Sequence, residues 1–283
     1  MILVFGKTGQ VARELARILP DARFLGRDEA DLTRPADCAA RIAALRPDAV
    51  INAAAYTAVD AAETDEPTAA TVNGAAPTAM AQACADLNIP IVQISTDYVF
   101  NGAGDAPFSP ADPTAPLGVY GWTKLAGEQG VIASGAPYAI LRTSWVFSAH
   151  GGNFVKTMLR LSETRDALTI VADQVGGPTP ARAIAEACVI IARRLIDDAS
   201  ASGTYHFSGA PDVSWADFAR EIFIQTGRSV TVTDIPSADY PTPAKRPANS
   251  RLNCAATADV FGIDRPDWRS ELSAVLTELK DVV

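Results

Sequence analysis

Positive charge is scarce in this sequence. Its 283 residues carry 24 Lys and Arg against 33 Asp and Glu, a formal net charge of −9. Nucleic-acid binding requires clustered cations that displace counterions from phosphates, so no nucleic-acid partner is expected. Histidine is scarcer still: only His150 and His206 occur. Neither has a second metal-ligating side chain at a credible spacing, so both read as structural or surface residues and no metal ligand is expected among them. The four cysteines, Cys38, Cys84, Cys188 and Cys254, lie far apart and form no CxxC pair. They read as small buried hydrophobes of a reducing compartment. No segment offers the ~18 uninterrupted apolar residues of a membrane span. The opening MILVFG has neither the basic region nor the long apolar region of a secretory signal. A soluble, cytoplasmic protein without a membrane partner is the expectation. Internal repeats are also absent.

What is present is an ordinary globular composition, 48% hydrophobic and 20% charged, in a chain long enough for one large α/β domain or a large domain with a smaller one attached. Short apolar runs alternate with helical patterns through the first half. Ile2 to Phe5 precedes a helix from Gln10 to Leu19, and a run at Arg23 to Leu25 gives way to a polar loop, Gly26 to Arg34. A helix over Pro35 to Leu45 leads into Ala49 to Asn52. An Ala-rich helix over Pro67 to Asn88 leads into the apolar run Pro90 to Ser95. Runs this short, bounded by turn residues and separated by helices, predict βαβ units: a Rossmann-like, doubly wound parallel sheet. From about residue 149 onward, loops rich in Gly and Pro interrupt shorter helices. A division into a dinucleotide-binding domain over 1–148 and a smaller C-terminal substrate domain over 149–283 is therefore expected, with part of 165–200 packing back onto the first. The proline-rich stretch Pro236 to Asn253 has the composition of a solvated linker, but its Lys245, Arg246 and Arg251 also suit an anion-binding loop.

Gly6-Lys7-Thr8-Gly9-Gln10-Val11-Ala12 sits between the first strand and the first helix, spaced GxxGxxA. Gly6 and Gly9 permit a tight turn and close approach to a pyrophosphate, and Ala12 permits close helix–strand packing. The helix start would then offer free N–H groups to phosphates. No GK[ST] follows at Walker spacing, which disfavours an ATPase. At the end of the second strand, Arg27 could pair with the 2′-phosphate of NADPH or be a solvated loop arginine, and both readings stay open; Asp31 and Leu32 could meet the adenine. The small side chains of Ala53, Ala54 and Ala55 leave room beside the sheet. NADPH or NADH is the expected cofactor, with Arg27 favouring NADPH.

Ser95-Thr96-Asp97-Tyr98-Val99-Phe100 ends a buried strand, where open α/β sheets place ligands. Tyr120 and Lys124 stand four apart on one helix face. An ammonium close to Tyr120 would lower the phenol from its usual ~10 and make it a usable acid/base. Thr96 can hold a carbonyl oxygen beside that phenol.

In this order, GxxGxxA, NAAA, STDYVF and YxxxK resemble the extended short-chain dehydrogenase/reductase superfamily. The longer segments FGKTGQV, NAAAYTAVD, YGWTKLAGE, RTSWV and NFVKTMLRL, with the run from Tyr240 to Asn253, are similar to its reductases of 4-keto nucleotide-deoxysugars. The resemblance implies a catalytic set of Thr96, Tyr120 and Lys124, with Tyr120 as proton donor and Lys124 also holding the nicotinamide ribose. It implies that Val59, Asp60, Tyr98 and Trp145 lie near the sugar, that Asn153 and Lys156 face the nucleotide-sugar, and that Arg246, Asn249 and Arg251 meet its diphosphate or nucleoside side. Trp145 could instead be a core anchor. Some such reductases dimerise through Mg²⁺ held by acids. Glu14 stands at a matching position, but Arg182 stands where they carry an acid, so the metal is doubtful and monomer and homodimer both remain open. A reductase of another 4-keto sugar is the nearest alternative. An epimerase or dehydratase would need further acid/base residues, and a non-catalytic subunit of the same fold would not need Thr96, Tyr120 and Lys124 intact.

Overall fold

The computed structural model describes residues 1–281. Six parallel strands build the central sheet: β1 (Ile2–Phe5), β2 (Arg23–Leu25), β3 (Ala49–Asn52), β4 (Ile91–Thr96), β5 (Tyr138–Thr143) and β6 (Gly203–His206). Their spatial order is β6-β5-β4-β3-β1-β2. The chain therefore leaves β1 toward one edge and resumes at β3 on the other side, so a crevice opens between the C-terminal ends of β1 and β3. The strands are apolar without strict alternation, and all four residues of β3 are buried, because helices cover both faces.

The longer helices are α1 (Gln10–Ile18), α2 (Pro35–Leu45), α3 (Ala76–Leu87), α4 (Val119–Ala133), α5 (Phe154–Leu161), α6 (Ala181–Asp197), α7 (Trp215–Thr226) and α8 (Trp268–Asp281). Side chains alternate across each strand. Val4, Ile51, Val92 and Leu141 meet Leu15 of α1 and Ile184, Cys188 and Ile191 of α6 on one face. Leu3, Phe5, Val50 and Ile91 meet Ile42 of α2 and Met80 and Cys84 of α3 on the other. Truncating a fully buried leucine such as Leu15 to alanine would cost ~2–5 kcal/mol. All four cysteines are free and buried. Helix α6 covers the sheet and strand β6 forms its edge although both lie in the C-terminal half of the chain. No helix among the described residues is long and apolar enough to cross a membrane.

A smaller core gathers Met158 of α5, Phe218 and Ile222 of α7, and Trp268 and Leu272 of α8. The parallel pair Ala167–Val171 and Thr231–Ile235 contributes Leu168 to it. The buried Trp268 indole N–H is satisfied by the Pro211 carbonyl at 2.7 Å.

Two segments depart from expectation. The Ala-rich helix is interrupted by a π-helical turn at Thr71–Ala75, a feature associated with functional sites. The proline-rich run is no solvated linker. Asn249–Ser250 pairs with Val175–Gly176, the Asn249 N–H reaches the Gly102 carbonyl at 2.9 Å, and Ala244, Asn249 and Ser250 are buried. Long-range backbone bonds override its loop-like composition.

Candidate active site

The loops that follow β1, β2, β3, β4 and β5 enclose a cleft of about 1240 Å³, larger than the ~300–1,000 Å³ of most small-molecule sites and suited to an elongated ligand. Gly6 has φ +109°, and a Cβ there would lie 3.3 Å from the Ala53 carbonyl group. The two backbones touch at the point where strand order reverses, a cradle that a side chain would fill. Gly9 begins α1 without a side-chain cap, leaving the first N–H groups of the helix for a ligand. Gly6, Thr8, Gly9, Gln10, Val11, Arg27, Asp31, Leu32, Ala53, Ala54, Ala55, Tyr120 and Lys124 all line this cleft. At its rim the exposed Arg27 donates Nε–H to Asp31 at 3.2 Å. Asp31 also accepts the Thr33 N–H at 2.9 Å, which holds its carboxyl below the usual range.

The end of β4 forms one wall of the cleft. Thr96 closes the strand and caps the short turn Asp97–Val99. Helix α4 approaches this turn so closely that a Cβ on Gly121 would sit 2.2 Å from the Tyr98 carbonyl oxygen. Glycine after Tyr120 is therefore what lets the helix bring that phenol to the strand end. Tyr98 and Tyr120 meet edge-to-face at 5.4 Å.

One electrostatic expectation is corrected. Burial pushes the Tyr120 phenol above its ordinary value, the neighbouring Thr96 hydroxyl pulls it back only partly, and the lysine one turn away does not offset the rise. Lys124 is itself buried, which brings its ammonium down to about 8, and it donates to the Ile94 carbonyl at 2.7 Å. At neutral pH the phenol is thus protonated, the form required of a proton donor.

Beneath these residues runs a buried network that the sequence reading did not find. Glu128, one turn beyond Lys124, receives Arg142 Nη2 at 2.6 Å and Nε at 2.9 Å, and also the Ser95 hydroxyl. Its charge partly restores the Lys124 ammonium. Asn73, placed by the π turn, holds both backbone groups of Tyr56 at 2.8 and 3.0 Å on the cleft wall. A Glu one turn past a Lys on a helix was a usable signal; nothing local marked Asn73.

A second cleft of about 850 Å³ adjoins the first, and Tyr98 and Trp145 line both. Trp145 adopts a left-handed φ of 51°, rare for a bulky residue, and stacks on Trp215 at 3.6 Å. A Cβ on Gly176 would crowd both Ser250 and the Trp145 ring. Val59 and Thr96 line the first cleft and Arg246 the second. Asp60 lies just outside, where it accepts Arg246 Nη2 at 2.7 Å and the Ala244 N–H at 3.1 Å. Arg246 also reaches the Tyr98 hydroxyl at 3.3 Å.

Besides Asp60, four residues expected to meet substrate line neither cleft. Asn153 caps α5 and donates to Gln10 at 2.9 Å. Lys156 donates to the Ala149 carbonyl at 3.2 Å. Asn249 is buried and donates to the Ala106 carbonyl at 2.8 Å, and Arg251 leans on Asn249 at 3.0 Å. Their polar groups fasten loops to one another. Glu14, expected at a metal position, instead approaches Arg17 at 3.3 Å and His150 at 3.4 Å, while Arg182 pairs with Glu186.

The RmlD substrate binding domain family matches residues 1–281. The chain belongs to this family. A relative from Sinorhizobium fredii, named dTDP-4-dehydrorhamnose reductase, is 46% identical, the alignment covering 99% of each chain. Among solved structures, a dTDP-4-dehydrorhamnose reductase from Clostridium acetobutylicum superposes with a TM-score of 0.91 at 36% identity, covering 99% of both chains. A dTDP-4-dehydrorhamnose reductase from Bacillus anthracis in complex with NADP superposes with a TM-score of 0.90 at 33% identity, covering 98% of both.

Proposed function

We propose that the chain reduces the 4-keto group of dTDP-4-dehydro-L-rhamnose with NADPH or NADH, giving dTDP-L-rhamnose. The observation that carries this reading is the meeting of two clefts at Tyr98, which packs edge-on against a protonated Tyr120 beside Thr96 and the buried Lys124, in a chain so similar to relatives named for that reaction. The glycine cradle at Gly6 and the uncapped start of α1 fit a pyrophosphate, and the remaining N–H groups of Lys124 fit the hydroxyls of a ribose. When bound, the reduced nicotinamide supplies the hydride. Tyr120 gives its proton to the oxygen as the keto carbon is reduced. Burial favours the neutral phenol over phenolate, and the developing alkoxide is the stronger base, so the transfer runs downhill. The Trp145–Trp215 stack and Arg246 form the walls for the sugar nucleotide, holding the keto carbon in near-attack geometry. The forked guanidinium of Arg246 suits a diphosphate. Arg27 at the rim favours NADPH through its 2′-phosphate.

The test is the fall in absorbance of NADPH, and separately of NADH, on mixing with dTDP-4-dehydro-L-rhamnose. Consumption with dTDP-L-rhamnose as product is the expected result. Binding of both cofactors without consumption would overturn the substrate assignment.

A further inference from the structure

Asp97 follows Thr96 directly and is only 3% exposed. Each of its carboxyl oxygens meets a hydroxyl: Thr96 Oγ1 lies 3.1 Å from Oδ1, and Ser250 Oγ lies 2.5 Å from Oδ2. The nearby cations have other partners. Lys124 faces the Ile94 carbonyl, Arg246 faces Asp60 and Tyr98, and Arg142 faces Glu128. The titratable groups that sense the charge of Asp97 are the Tyr98 and Tyr120 phenols, and that charge pushes both upward. A buried carboxyl without a cation favours its neutral form, and burial brings Asp97 up to about 6.

The hydroxyl of Thr96 has one proton and two lone pairs. The Tyr98 N–H takes one lone pair at 3.2 Å. With Asp97 ionised, the Thr96 proton is drawn to the carboxylate, and a keto oxygen, which only accepts, receives nothing from Thr96. With Asp97 protonated and donating, both lone pairs of Thr96 are filled and its own proton is free to point into the cleft.

We propose that Asp97 serves the reduction as a neutral carboxylic acid: by donating to Thr96 it turns the Thr96 proton toward the keto oxygen, beside the Tyr120 hydroxyl. Asp97 is a positioning residue, and the inference rests on the reductase reading above. The new O–H bond takes its proton from Tyr120, while Thr96 and Asp97 keep theirs. Ser250, from the proline-rich run that borders the second cleft, stabilises the competing carboxylate form.

The experiment measures kcat and KM from pH 5 to 9 for the whole protein and for Asp97→Asn, Asp97→Ala, Ser250→Ala and Tyr120→Phe, with NADPH binding followed by fluorescence. At pH 5, where Asp97 is neutral, the asparagine amide also donates, so Asp97→Asn should lose about threefold in kcat and Asp97→Ala about 100-fold, as when an oxyanion donor is removed, with cofactor affinity retained in both. In the unmodified protein kcat should fall as rising pH ionises Asp97, and Asp97→Asn should lack that limb. Removing the Ser250 donor should move the limb to higher pH, because the carboxylate loses its stabilising hydrogen bond. Asp97→Asn as impaired as Asp97→Ala, with NADPH still bound, would overturn the inference, as would an unshifted limb in Ser250→Ala. An active Tyr120→Phe would instead overturn the reductase mechanism itself.

Discussion

The two clefts are built in different ways. The first is made of backbone and small side chains from loops that each directly follow a strand: Gly6 and Gly9 after β1, Ala53 to Ala55 after β3, Thr96 at the end of β4. The second is made of large side chains from distant parts of the chain, with Tyr98, Trp145, Phe154, Trp215 and Arg246 converging on one space. A site for a constant ligand can be encoded in turns that fold locally. A site shaped by aromatic walls exists only once the smaller core has assembled around Phe218 and Trp268.

Tyr120 lines the first cleft and packs against Tyr98, which lines both, and its loss should have the largest effect. Tyr120→Phe should lower kcat by ~10³, within the range of general acid catalysis, while NADPH binding stays near normal. Near-normal turnover would remove the junction from the chemistry.

Asp97 and Ser250 tie the strand end to the border of the second cleft, and their link carries a pH signature. The Asp97 carboxyl is raised from 3.8 to about 6 in the folded protein. Its stabilising contribution is therefore complete below pH ~4 and lost as pH rises through 6. Asp97→Asn should match the unmodified protein in unfolding free energy at pH 4 and exceed it by at most ~3 kcal/mol at pH 8. A pH-independent difference in urea unfolding would contradict the link.

Trp215→Ala removes the ring on which Trp145 stacks. It should raise KM for the sugar nucleotide by ~10-fold and leave the NADPH dissociation constant within a factor of about two, since a stacked aromatic pair adds only ~0.5–1.5 kcal/mol beyond its buried area. Equal damage to both ligands would mean that the clefts are not separable. The smallest effect belongs to the rim of the first cleft. Arg27→Ala should weaken NADPH ~5-fold more than NADH, because an exposed guanidinium–phosphate contact is partly screened. Equal weakening would dismiss the 2′-phosphate contact.

Much of the first cleft was legible in the residues. The GxxGxxA turn, the small Ala53–Ala55 stretch and the Tyr120–Lys124 spacing all pointed to side chains that now line one space. The second cleft was legible only through resemblance, which also named Asn153, Lys156, Asn249 and Arg251; these line neither cleft and fasten loops instead. A polar side chain reads the same in a sequence whether it meets a ligand or a carbonyl of its own chain. The proline-rich run misled for a related reason. Its composition forbids a helix but says nothing about a partner strand at Val175–Gly176.

By itself the sequence determined the local pieces: which runs are strands, where α1 begins, and that Gly6 and Gly9 allow a tight turn between them. Turn chemistry and hydrophobic period act between neighbours, and neighbours are what a sequence displays. Only the tertiary structure decided the protonation of the site. Burial, not the lysine one turn away, sets the Tyr120 phenol. Asp97 shares its carboxyl with Ser250, 153 residues further along the chain. Desolvation and long-range hydrogen bonds depend on what the folded chain brings together and shields from water, and no spacing along the chain encodes that.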